Sequence, residues 1–155
     1  MSLSEALAEA LEEQPNGSIT AEHGGARAHV DVVASGPIGV RVKRVTVQRS
    51  RDVAVADAAT SVSERLGSVL PERVEPVEVD PALGGAVLRT RPEDIHNREY
   101  LEVEIRGTRK VDIRRWRVED EGRAEADWSM TRDQLGRLLD DLESVSYTHL
   151  RAHET

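Results

Sequence analysis

Residues 100–118 read YLEVEIRGTRKVDIRRWRV, and the fold turns on how that stretch alternates. Leu101, Val103 and Ile105 fall on one face of an extended strand, and Glu102, Glu104 and Arg106 on the other, because successive side chains of a strand point to opposite sides. Gly107 opens a short turn, and Val111 and Ile113 resume the alternation on the return. This pattern predicts a β-hairpin with one buried face. After Ile113 the phase slips: Arg114 and Arg115 intervene, and Trp116 and Val118 agree only with each other. The same slip occurs in Val40–Gln48, where Val40 and Val42 share one phase, Val45 and Val47 the other, and Lys43-Arg44 lies between. Both slips predict a bulge or bend that re-aims the strand.

On the N-terminal side, Ser2–Glu13 reads as a helix with Leu3, Leu7 and Leu11 on one stripe beside Ala6 and Ala10. Ser2 and Glu5 fit a capping box, and Pro15-Asn16-Gly17 ends the segment. Ile19–Glu22, Arg27–Ala34 and Val40–Gln48 are three strands joined by turns at His23-Gly24-Gly25 and Ser35-Gly36-Pro37. Asp52–Leu70 is a second helix, with Val55, Ala58, Ala59, Val62, Leu66, Val69 and Leu70 near a 3.6-residue period. Val74–Val79 contains Pro76, which cannot donate to a ladder, so it reads as an edge strand. Ala86–Arg91 is a further strand, followed by a polar loop over Pro92–Asn97.

Beyond the hairpin, Arg123–Met130 is a last strand and Thr131–Glu143 a last helix. That helix is capped by Thr131 and Gln134 and apolar at Leu135, Leu138, Leu139 and Leu142, with Gly136 a site for close approach. The fold class is therefore α+β: a curved antiparallel sheet with helices packed on it, in the order α-βββ-α-βββββ-α. Residues 1–144 form one domain. Residues 145–155 are set aside as a non-native tail, because SYTHLRAHET lacks periodicity and resembles a translated sequencing-adapter read-through.

The chain has 155 residues, no Cys, no Phe and a net charge of −8. Without Cys there is no disulfide scaffold and no thiolate metal site. No apolar run approaches the roughly 18 residues of a membrane span, and the acidic N-terminus has no basic-then-apolar leader, so a cytoplasmic protein without membrane contact is expected. The charge is uneven. Residues 40–51 hold Arg41, Lys43, Arg44, Arg49 and Arg51 with no acid, residues 98–117 are +3, and the remainder is −16.

Candidate chemistry is sparse. His29-x-Asp31 places two possible ligands on one strand face, with His23 or His96 as a third, but ordinary solvent-facing side chains give the same pattern. Glu72, Glu75, Glu78 and Asp80 fit the wet face of an edge strand better than a cation site. The glycine pairs at 24–25 and 84–85 lack the residues of a phosphate loop, and no Ser has a nucleophile-elbow context. No catalytic residue, metal or cofactor is expected. The candidate binding residues are the basic strands: Arg41, Lys43, Arg44, Arg106, Lys110, Arg114 and Arg115, with Trp116 beside them. They offer a cationic surface for phosphates or an acidic polypeptide. The alternative is that they pair with the chain's own acids and cover the sheet with their aliphatic stems.

Within residues 98–143, YLEVEIRG, VDIRRW and the capped TRDQLGRLLDDL resemble the single-stranded-DNA-binding domain of the transcriptional coactivator called positive cofactor four. That resemblance implies a dimer that binds single-stranded nucleic acid. The acidic stretch Arg123–Trp128 departs from the glycine- and lysine-rich segment of that family. The order of elements over the whole domain is similar to that of the small acidic chaperones of bacterial type III secretion, which implies a homodimer that holds an unfolded protein partner. The leading expectation is a non-enzymatic, chaperone-like or adaptor module for a polypeptide. A single-stranded nucleic-acid binder is second, with Trp116 or Tyr100 available for stacking, and a small enzyme of unspecified class third.

Overall fold

The computed structural model describes residues 2–49, 55–82, 84–107 and 109–154, with side chains at all of these except 55–56 and 144–154. Arg51 and the expected helix start at 52–54 lie outside the described residues. The order is α1 (Leu3–Glu13), β1 (Gly17–His23), β2 (Ala26–Ser35), β3 (Gly39–Gln48), α2 (Val55–Val69), β4 (Val74–Asp80), β5 (Gly85–Thr90), β6 (Glu99–Arg106), β7 (Lys110–Glu119), β8 (Gly122–Ala126), β9 (Trp128–Thr131) and α3 (Arg132–Glu154). The α+β class and the element order stand, with the last expected strand divided in two. Helical backbone in α3 also continues past Glu143 to Glu154, through the stretch set aside as a tail.

All pairings are antiparallel, and the main path runs β1-β2-β3-β7-β6-β5-β4. The long hairpin, β6 with β7, keeps one register from Glu99↔Arg117 to Arg106↔Lys110. It sits at the centre of the sheet. β4 is an edge, as Pro76 requires, and its register shifts at Val77.

The two phase slips have different causes. In β3 the slip is a bulge: Asp31 pairs with Arg44 and Val32 with Val42, leaving Lys43 over, and a compensating irregularity leaves Val33 over in β2. Here β3 also changes partner, from β9 (Gly39–Val42) to β7 (Arg44–Gln48). The bulge expected in β7 is absent. That strand is regular against β3, β6 and β8. Val111 and Ile113 face the core, and Trp116 and Val118 face the other side. What changes at Arg114-Arg115 is the neighbour, from β3 to β8. The chain then leaves β7 after Ala126 and joins β3 at Trp128, so Asp127 pairs with neither strand, which divides the expected single strand.

The three helices pack together on one face, α3 in the middle over β3, α1 over β1 and β2, and α2 over β4 and β5. Leu3, Leu7 and Leu11, then Leu135, Leu138, Leu139 and Leu142, meet Val30, Val45, Val47, Val103, Ile105, Val111 and Ile113 in one continuous core. The capping box of α3 forms in full, with Gln134 N donating to Thr131 Oγ1 (3.0 Å) and Thr131 N to Gln134 Oε1 (2.9 Å), while at α1 only the Ser2 half forms, Glu5 N donating to Ser2 Oγ (3.2 Å). A Cβ on Gly136 would lie 3.2 Å from Ser4 Cβ, which marks where α1 and α3 touch. Asp140 completes that contact by accepting from Ser4 N (3.0 Å) and Ser4 Oγ (2.7 Å) at the start of α1. No helix is long and apolar enough to cross a membrane among the described residues.

Candidate polar face of the sheet

Among the described residues no element covers the side of the sheet away from the helices, and strand register sets its chemistry. One cross-strand row runs Ser18, Asp31, Arg44, Arg114, Glu102, Arg89, Glu75 from edge to edge. The next runs Thr20, His29, Thr46, Asp112, Glu104, Val87, Glu78. Opposite charges placed directly across a ladder attract, as Arg89 and Glu102 do, whereas Arg44 faces Arg114 and reaches diagonally to Asp112 instead.

Asp112 is the centre. Its residue is 1% exposed. Arg44 donates to it through Nε (2.8 Å) and Nη2 (2.6 Å), Thr46 Oγ1 donates at 2.9 Å, and Arg114 Nη2 lies at 3.5 Å. The fork geometry of Arg suits a carboxylate. Burial pushes the Asp112 carboxyl up, but the hydrogen bonds from Arg44 and Thr46 and the charge of Arg114 outweigh it, so the carboxyl is held below its ordinary range. The hydrogen bonds to Asp112 in turn hold Arg44 above the ordinary guanidinium value. Arg114 also faces Glu125 at 3.7 Å.

A second cluster adjoins the first. Arg123 stacks on the Trp116 ring, 3.9 Å from its centroid. The same guanidinium donates to Tyr100 Oη (3.0 Å) and Glu102 Oε2 (2.9 Å), and Arg89 Nε donates to Glu102 Oε2 at 2.9 Å. Burial raises the Glu102 carboxyl, yet Arg123 and Arg89 draw it below its usual value. A hollow of about 220 Å³ lies between Asp112, Arg114, Trp116 and Arg123.

Each expected binding residue therefore has a place. Arg41, Lys43, Arg44, Arg106, Lys110, Arg114 and Trp116 share the bare face, because β3, β7 and β6 are successive strands and all seven lie in their outward phase. Arg115 does not join them. It lies on the helix side, between Glu99 (2.7 Å) and Glu72 (2.9 Å), where desolvation is outweighed by these two acids and its pKa is raised. Arg106 is paired with Glu104 at 2.6 Å. Arg41 is exposed and loosely held by Ser129 at 3.5 Å. Lys43, pushed out by the bulge, is exposed and has no acid in ion-pair reach among the described residues.

At the β1 end, Ser18, His29 and Asp31 come together, but not as a nucleophile triad. Ser18 Oγ is 3.0 Å from His29 Nε2, while the same hydroxyl donates to Asp31 Oδ1 at 2.9 Å and Thr20 Oγ1 meets His29 Nδ1 at 3.1 Å. In a triad the acid would hold the imidazole's second nitrogen. Among the described residues no three metal-ligating side chains converge, and His23 is taken by Glu143 at 3.3 Å.

Two buried charged residues were not marked by the sequence. Asp112 sits in VDI as an ordinary alternating polar residue, and only the β3–β7 register shows that two arginines and a threonine close over it. Arg49 belongs to a basic run, yet it is buried. No family model matches the chain, and no curated protein and no solved structure matches it.

Proposed function

We propose that this chain is a non-enzymatic, cytoplasmic binding module, chaperone-like or adaptor in kind, that engages a polypeptide across the bare face of its sheet. The observation that carries the reading is that face itself: seven strands wide, uncovered by any described element, and lined by acids and bases held together by hydrogen bonds. Such an array favours a partner of mixed charge over a uniform polyanion, because fixed charges of both signs select by complementarity. Homodimerisation through the same face belongs to this proposal, in keeping with the resemblance to secretion chaperones.

Single-stranded nucleic acid is the second reading, in keeping with the resemblance to positive cofactor four. It draws on Arg41 and Lys43, which are exposed on the same face as Trp116. It has less support, because Arg44, Arg114 and Arg123 are neutralised by Asp112, Glu125 and Glu102, and Arg123 already occupies one side of the Trp116 ring.

A photo-crosslinking amino acid at position 43, compared with one at exposed Glu9 on α1, tests the face directly. The expected result is a discrete polypeptide adduct, a partner or a second copy, from position 43 and not from position 9. Equal labelling from both positions contradicts the reading. Salt-sensitive binding of a labelled oligonucleotide that Arg114→Glu abolishes would instead select the second reading.

A further inference from the structure

Arg49 follows β3 directly, and its amide donates to Arg109 O at 2.8 Å, which fixes the backbone. The residue is 4% exposed, and Nε, Nη1 and Nη2 are all buried without a hydrogen-bond partner among the described residues. A guanidinium cannot shed its charge at ordinary pH. An uncompensated buried cation is among the most costly groups a protein can hold, and burial alone pulls its pKa down. Of the described acids beside the same turn, Glu22 pairs with Arg27 and Glu143 with His23.

Arg49 also forms part of the wall of a cleft of about 570 Å³ at the end of the sheet where β1 turns into β2. That size falls within the roughly 300–1,000 Å³ of small-molecule sites. The same wall holds Arg27, Arg109, Gln48 and the turn Gly24-Gly25, where both glycines have positive φ. Glu22 is held there by Arg27, so it does not compensate the charge of Arg49.

We propose that this cleft is an anion site, in which Arg49 turns from its unpartnered position to seat the carboxylate or phosphate group of a small molecule. Both groups present the paired oxygens that a guanidinium fork matches. The flexible side chain gains in the cleft the partner that its buried position lacks. This site is independent of the polypeptide reading of the bare face.

The test is thermal unfolding of the full chain in a chloride buffer, with inorganic phosphate or acetate exchanged in at constant ionic strength. Wild type should gain a saturable rise of several degrees, as expected for a ligand that binds only the native state. Arg49→Met should show no such rise, while unfolding no earlier than wild type in chloride. A response to phosphate alone assigns a phosphate ligand, and a response to acetate alone a carboxylate. Broadening of the phosphorus resonance of inorganic phosphate by wild-type protein reads the same binding without a variant. No response of wild type to either anion overturns the proposal. So does an equal response in Arg49→Met, which would be a general salt effect. So does a loss of stability shared by Arg49→Met and Asp52→Asn, which would place the missing partner within the chain.

Discussion

Asp112 and Arg49 are both charged, both nearly sealed from water, and carried by paired neighbouring segments of the sheet. One is saturated and the other is bare. Asp112 collects two arginines and a hydroxyl, because Thr46 lies directly across from it on β3, Arg44 diagonally across on the same strand, and Arg114 two residues on along β7. Arg49 stands one residue beyond the end of β3, on the helix side, where the described neighbours offer it nothing. The difference teaches that the cost of a buried charge depends on strand register, which decides whether partners arrive with it.

The largest effect expected from breaking that contrast is at its saturated end. Asp112→Ala leaves two arginines facing each other and should cost about 3 kcal/mol in urea unfolding, the low end for a broken buried pair, because both guanidiniums can turn towards water. Arg44→Ala removes only the fork and should cost less, about 2 kcal/mol, since Thr46 and Arg114 still serve the carboxylate. A cost for Arg44→Ala equal to that of Asp112→Ala would make the fork the whole of the site.

Acid sharpens the comparison further. Asp112, Glu102 and Glu99 all have folded-state pKa values below their ordinary ones, the last through its hydrogen bonds from Arg117 and Arg115. Between the folded and the unfolded values the unfolded chain binds more protons, so stability rises with pH there. Their contribution is complete above the ordinary carboxylate range and is lost as pH falls through the depressed values. A urea-midpoint profile against pH should therefore fall on the acid side, and Asp112→Asn should flatten that limb. An unchanged limb would show that Asp112 does not titrate there. The smallest effect is at the rim. Arg123→Ala uncovers the Trp116 ring and should cost about 0.5–1 kcal/mol, with a red shift of the tryptophan emission as the independent check.

How far these features were legible follows from where their causes lie. Caps and edges are local: Ser2, Thr131 and Gln134 announced their helices, and Pro76 its edge strand. The β3 bulge was legible because both phases of its valines are buried, so the backbone had to shift between them. The same slip in β7 misled, because Trp116 and Val118 belong to the outer face and need no shift. The break at Asp127 left no local sign, since it records a change of partner from β7 to β3. The bare face gathered seven of its eight expected residues, because the β3–β7 and β6–β7 pairings turn their outward phases to one side. Arg115 fell on the other side by strand parity, which an expected bulge had obscured. The burial of Asp112 and Arg49 is set by neighbours distant in sequence, and a single strand's pattern does not contain it.

The most direct measurement is the urea midpoint of Arg49→Met beside that of Asp112→Asn, both in phosphate-free chloride near neutral pH. A bare buried cation replaced by an apolar chain should raise the midpoint by the equivalent of about 1–3 kcal/mol, and a saturated carboxylate made neutral should lower it. Midpoints that fall in both variants would show that Arg49 is as well partnered as Asp112, and the contrast between them would be gone.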